Sequence, residues 1–258
     1  MRLARAERRQ ACAGVSDGHL LHHVDVRRAL RVLSTALITA GLVILADVAT
    51  TLAWKEPVST IYGSIQQGRA ADELDELRES FPSATDLRAL ERVEGVREKA
   101  AVLADRFADR LSSQDGKGIG RIRIPGIGLD TVLVEGTATD TLQKGPGRYP
   151  ETALPGQSET IGIAGHRTTY LAPFRHIDDL EGGDEIVLEM PYASFTYKVE
   201  RTEVVEPSDV GIVRDTGTER VVLTACHPLY SAAERIAVFA DLADVSLFAG
   251  GEGRWLTP

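Results

Sequence analysis

Apolar and polar positions alternate along this chain with three different rhythms. From Val32 to Trp54 the run is almost wholly apolar: 23 positions with one charge, Asp47. About 20 such residues make a helix long enough to cross a bilayer. Residues 62–81 then predict a helix rich in acidic side chains, broken at Pro82-Ser83. Residues 86–112 predict a second helix, with Val96, Ala100, Leu103, Phe107 and Leu111 recurring every three or four positions. From Gly118 onward the period falls to two. Strands are expected at 119–124, 131–134, 160–164, 185–190, 194–205, 220–226 and 235–242, separated by Gly and Pro turn signals. The stretch 145–156 (GPGRYPETALPG) is too broken by Gly and Pro for either regular form. Seven or eight short strands with this spacing predict a mainly β domain, an antiparallel barrel or sandwich.

The expected organisation is a basic segment at 1–31, a transmembrane anchor at 32–54, a helical stalk at 55–117, a β domain at 118–249 and a tail at 250–258. Charge sharpens this picture. Residues 1–31 carry seven Arg against Glu7, Asp17 and Asp25, whereas the chain as a whole has a net charge of −9. A basic head on an acidic body argues against nucleic acid as the partner and for a lipid bilayer. Positive residues stay on the cytoplasmic side, so a single-pass anchor with its N-terminus inside and the β domain outside is expected. Its rivals are a cleaved signal peptide, which this long apolar run without an A-x-A site fits less well, and a buried helix of a soluble protein. The stalk reads as a spacer, with self-association or packing against the β domain as the alternatives.

The chain has two cysteines, Cys12 and Cys226. Placed on opposite sides of the anchor they would not pair, so Cys226 is expected to be a free thiol. It ends a strand, and a thiol becomes a nucleophile only with a base or positive group beside it. His166 follows a strand and a glycine. His176 lies in a polar loop with Asp178 and Asp179, and His227 should point away from its neighbour Cys226. If 220–226 and 235–242 pair antiparallel, Arg235 arrives beside Cys226, where a guanidinium can stabilise a developing oxyanion. A lone Cys is more often a small buried hydrophobe, and a lone Arg at a strand start is often a solvated edge. Adjacent Cys226-His227 and the lack of any C-x-x-C speak against zinc; neither metal nor cofactor is expected.

These segments resemble the sortases, the cysteine transpeptidases of Gram-positive cell surfaces. VLTAC (222–226) is similar to their Thr-Leu-x-Thr-Cys strand, with an upstream His and a downstream Arg. AGHRTTYLAPF (164–174), the Gly/Pro loop and TACHP (224–228) resemble class E. The resemblance covers about residues 118–243. It implies an eight-stranded β-barrel with His166, Cys226 and Arg235 as catalytic groups and Tyr170, Thr224 and Ala225 in substrate binding. It also implies cleavage of the Thr–Gly bond in an LAxTG- or LPxTG-like C-terminal sorting signal of a secreted protein. A thioacyl enzyme would then pass the acyl group to an amine of a peptidoglycan precursor. Three positions depart from the pattern: Ala225 for the usual Thr, Leu171 for a common Gly, and Arg148 for a frequent His. The competing readings are another envelope acyl-transfer enzyme, such as an L,D-transpeptidase, whose SHGC-type segment is absent, and an anchored β domain that only binds.

Overall fold

A computed structural model describes residues 18–53, 57–111, 114–249 and 254–256. The expected basic head up to residue 17, Cys12 and Trp54 lie outside the described residues, as does most of the tail. The chain divides into two units, 1–53 and 54–258.

The first unit is one helix, α1 (Gly18–Ala53), whose stretch Val26–Thr50 is long and apolar enough to cross a membrane. From Val26 on, its large apolar side chains are exposed. Four of its hydroxyls bond within the helix: Ser34 and Thr35 donate to the Arg31 carbonyl, Thr39 to that of Thr35 and Thr50 to that of Ala46, at 2.7–3.0 Å. This back-bonding is how a hydroxyl avoids going unpaired where water is absent.

In the second unit, helices α2 (Pro57–Ser80), α3 (Ala84–Arg88) and α4 (Val96–Leu111) precede the strands. The strands are β1 (Gly118–Ile124), β2 (Leu129–Glu135), β3 (Gly147–Arg148), β4 (Thr160–Ala164), β5 (Glu185–Glu189), β6 (Ala193–Val205), β7 (Arg220–His227), β8 (Glu234–Ala249) and β9 (Arg254–Leu256). The order β6-β5-β1-β2-β3-β4-β7-β8 closes because β8 pairs with β7 through its first half and with β6 along most of its length. The result is an eight-stranded barrel, with β9 added at the end of β8. Two pairings, β2–β3 and β4–β7, are parallel, so the barrel is not purely antiparallel. The Gly/Pro stretch contributes the short strand β3, too brief for a period to reveal it.

The helical segment differs from the expected spacer. Its inner face is part of the barrel's packing. Ala70 and Leu74 of α2 pack on Val132 and Val134 of β2. Phe81, Phe107 and Tyr192 form an aromatic cluster with ring centroids 5.2–6.2 Å apart inside the main core. Gln67 serves as a surrogate edge partner for β2: its amide oxygen accepts from the Val132 N–H at 2.8 Å and its nitrogen donates to the Val132 carbonyl at 3.1 Å. No compact boundary therefore falls at residue 118. The helix starts at Pro57, earlier than residue 62, since proline suits a first helical turn. The predicted helix at 86–112 is interrupted at Gly95, where φ is +82°, leaving α3, a 3-10 turn and α4.

Candidate active site

Period-two geometry sets which side chains of β7 can meet a substrate. Val221, Leu223 and Ala225 point into the barrel core. Val222 packs instead with Ala237, Phe239, Ile212 and Val213. Thr224 and Cys226 share the parity of Val222, and Arg235 shares that of Ala237 and Phe239. Cys226 and Arg235 are directly opposed in the β7–β8 ladder, which places their Cβ atoms about 4.5–5.5 Å apart on one face. Cys226 is a free thiol, partly exposed.

On its other edge β7 pairs in parallel with β4. Ala164 pairs with Thr224, and the Gly165 N–H donates to the Thr224 carbonyl at 3.0 Å. His166 thus lies two residues beyond Ala164, as Cys226 lies two beyond Thr224. Gly165 is required between them, because a Cβ there would sit 2.5 Å from the Phe174 ring. The His166 ring is largely buried; burial holds its pKa below the usual histidine value, and Nε2 has no hydrogen-bond partner. Desolvation disfavours the imidazolium, so the resting ring is neutral and free to take a proton.

The loop after His166 turns sharply. Tyr170, Leu171 and Ala172 all have positive φ (49°, 67° and 44°), a left-handed path that costs non-glycine residues of order 1 kcal/mol or more each. Local bonds hold it: the Ala172 N–H donates to Thr169 at 2.8 Å and the Phe174 N–H to His166 at 3.0 Å, with Phe174 fully buried. Leu171, expected to stiffen this loop, occupies the middle of that path. The Tyr170 ring lies 5.4 Å from the His166 ring and 6.2 Å from Tyr62 of α2. Gly63, beside Tyr62, is needed for this approach, since a Cβ there would meet Leu171 Cγ at 3.0 Å.

Two arginines outside the expected site organise it. Arg167, 3% exposed, ties the His166 loop to β7. It donates to Asp178 at 2.5 Å and to the Arg175 carbonyl at 3.2 Å, reaches the Cys226 carbonyl at 3.5 Å and faces His227 Nδ1 at 3.3 Å. Arg148 forms a buried bidentate pair with Glu135, at 2.8 and 2.5 Å, and donates to the carbonyls of Tyr149, Thr152 and Ala153. It cinches the Gly/Pro loop. Tyr149 in turn bonds the Thr224 hydroxyl at 2.9 Å. A cleft next to Cys226 is lined by Tyr149, Val210, Ile212, Val213, Thr224 and Arg235. Neither arginine was marked as functional by sequence. The only hint for Arg167 was its adjacency to His166.

The expected site residues divide accordingly. Strand register sets Arg235 opposite Cys226, His166 follows the end of the strand that pairs with β7, and the Tyr170 ring lies tilted against that of His166. Thr224 borders the cleft with its hydroxyl engaged by Tyr149. Ala225, 3% exposed, faces the barrel core on the side away from Cys226, so its methyl offers packing and no contact within the cleft. His176 is exposed and paired with Asp179 at 3.0 Å, and His227 points away from Cys226 toward Arg167. Arg235 Nη1 donates to the Ala232 and Glu234 carbonyls at 3.2 and 2.9 Å. A guanidinium has five N–H donors, so others remain for a ligand.

Comparison with known proteins places this geometry. Residues 122–243 match the model of the sortase domain. Sortase D of Bacillus subtilis is 35% identical over 116 residues, 45% of this chain and 57% of that protein. Sortase SrtE2 of Streptomyces coelicolor is 29% identical over 242 residues, 83% of this chain and 82% of that one. A solved sortase D5 transpeptidase of Clostridium perfringens superposes with a TM-score of 0.54 at 26% identity, covering 69% of this chain and 99% of its own. The chain spans little more than half the length of the Bacillus protein. Residues 122–243 of the barrel thus match the sortase domain, the domain of a family of cysteine transpeptidases.

Proposed function

We propose that this chain is a class E transpeptidase that cuts the Thr–Gly bond of an LAxTG- or LPxTG-like C-terminal signal on secreted proteins. The acyl group passes to an amine of a cell-wall peptidoglycan precursor. The observation that carries the reading is the β7–β8 register that opposes Cys226 to Arg235, supported by His166 coming two residues after the end of β4, the strand that pairs with β7. The likeness to sortase SrtE2 and the HRTTY and TACHP segments support the class.

The chemistry follows from the placement. Cys226 Sγ attacks the threonine carbonyl carbon while its proton passes to the neutral His166 ring. Arg235 donates to the resulting oxyanion. Collapse breaks the C–N bond, and the leaving glycine amine takes the proton from His166. The incoming amine attacks the thioester, gives a proton to His166 and releases Cys226, which is reprotonated from the same ring. Thr224 and Tyr149 shape the cleft, and Tyr170 shields the imidazole. α1 serves as a single-pass anchor with its N-terminus in the cytoplasm and the barrel outside, as the charge asymmetry supports.

Intact-mass spectrometry tests this directly. Incubation with an LAxTG peptide should add the mass of the acyl fragment to Cys226, and an added amine acceptor should remove it. Cys226→Ala should show no adduct. Absence of any adduct with both LAxTG and LPxTG peptides would sink the assignment.

A further inference from the structure

The start of α2 shows an apolar stripe that the barrel leaves uncovered. Val58, Ile61, Tyr62 and Ile65 are 78%, 64%, 44% and 53% exposed. The spacing i, i+3, i+4, i+7 confines them to an arc of about 100° on the helix. The opposite side, with Gly63, Gln67, Ala70 and Leu74, is docked on the barrel and the His166 loop. These four are half of the eight large exposed apolar residues described outside α1. Along the same outer arc, the next residues are Arg69, Asp72, Glu76 and Glu79, all exposed. The face changes abruptly from apolar to charged. That is unlike a seam for a partner helix, which would continue along the length. The apolar part spans 58–65, about two turns or 10 Å of helix, a short apolar face of the kind that interfacial helices set against lipid.

Chain connectivity identifies the occupant. Only residues 54–56 separate α1 from α2, and four peptide units reach at most about 14 Å. Their sequence, Trp54-Lys55-Glu56, has the amphipathic aromatic and the lysine found at membrane boundaries.

We propose that the first two turns of α2 lie in the outer lipid interface of the bilayer that α1 crosses, with Val58, Ile61, Tyr62 and Ile65 against lipid. The inference rests on the reading of α1 as an anchor. It gives the stripe a role and has a consequence for the site. Tyr62 packs edge-on to Tyr170, which lies on His166. The loop that carries His166 and Tyr170 is thus braced by a helix seated at the membrane surface.

The test uses the full chain with Cys12→Ser and Cys226→Ala, reconstituted in mixed phosphatidylcholine–phosphatidylglycerol vesicles. A polarity-sensitive fluorophore is attached in separate variants at Leu42→Cys, Ile61→Cys, Ile65→Cys and Glu79→Cys, all at exposed positions. Nitroxides on the lipid headgroup or deep in the acyl chain quench it. Labels at 61 and 65 should be quenched by the shallow nitroxide at least about threefold more than the label at 79, while the label at 42 responds to the deep one. Quenching at 42 with none at 61 and 65 overturns the proposal and leaves the anchor standing. No quenching at 42 overturns both. Label–label quenching at 61 that rises with protein density, in place of lipid quenching, assigns the stripe to a second copy and overturns it as well.

Discussion

Two arginine–carboxylate pairs hold the loops next to β7, and they are built differently. Arg148 and Glu135 are both buried, with side chains 4% and 6% exposed. Arg167 is equally buried at 2%, but its partner Asp178 is 45% exposed. The electrostatics diverge accordingly. Burial drives the Glu135 pKa above the usual carboxylate value, and the hydrogen bonds and charge of Arg148 only partly offset it. Asp178 loses some solvation too, but the hydrogen bond and charge of Arg167 prevail and hold its carboxyl below the usual value. The first pair holds a loop shut from inside. The second lets a surface carboxylate hold a buried guanidinium whose other contacts fix the ends of β4 and β7. A charge pair's effect is set by how much water each member has lost.

The largest expected effect comes from breaking the inner pair. Glu135→Ala strands the Arg148 charge in the interior and should cost about 3–5 kcal/mol of stability, read by urea denaturation. Next is Arg167→Ala, which releases the His166 loop from β7. Misplacement of about 1 Å can lower rate about 100-fold, so kcat/KM for the signal peptide should fall by that order. Arg167→Lys should restore it only in part, because one ammonium cannot span Asp178 and two carbonyls. If Arg167→Ala acts as fast as wild type, the two pairs are not functionally distinct. Smaller is the Tyr149–Thr224 bond that joins the inner pair's loop to β7. Tyr149→Phe and Thr224→Val should each cost about 1 kcal/mol, and the double variant should cost less than their sum.

Asp178→Asn should cost least, about 0.2–1 kcal/mol, since half-exposed pairs are solvent-screened. Its pH dependence separates the pairs. A carboxyl with a depressed folded pKa contributes stability above its unfolded value of about 3.9, lost as pH falls through the folded value. The Tm gap between wild type and Asp178→Asn at pH 6 should therefore begin to close as pH falls below about 3.9 and keep closing as the pH passes through the lower folded value. Glu135 runs the other way: its raised pKa contributes stability at low pH that is lost as pH rises through the folded value. With His166 in the proposed role, the acid limb of activity should fall below the ordinary histidine value of about 6.5. Tyr170→Ala, by admitting water to the ring, should move that limb upward.

Much of this architecture was visible in the sequence. The seven long strands stand where alternation placed them, and pairing of 220–226 with 235–242 correctly brought Arg235 to Cys226. The helices were visible as helices, and packing against the β domain was one of the open readings, but the sequence did not single it out. Leu103 and Phe107 have the spacing of an amphipathic face, and periodicity says that a face is buried without saying against what. Ala225 sits next to the nucleophile in sequence and on the opposite side of the strand in space. Arg167 and Arg148 carry no periodic signal, and a single arginine is ordinarily a solvated one.

The sequence by itself determined the apolar span, the strand positions and the side-chain parity that puts Thr224, Cys226 and Arg235 on one face. These follow from backbone geometry within a few residues. Tertiary structure alone decided that β4 runs parallel to β7, that Arg167 joins the His166 loop to β7, and that α2 stacks Tyr62 on Tyr170. Those partners lie about 60 to 110 residues apart. Packing and the satisfaction of buried polar groups select such contacts across the whole core, and no local pattern encodes them.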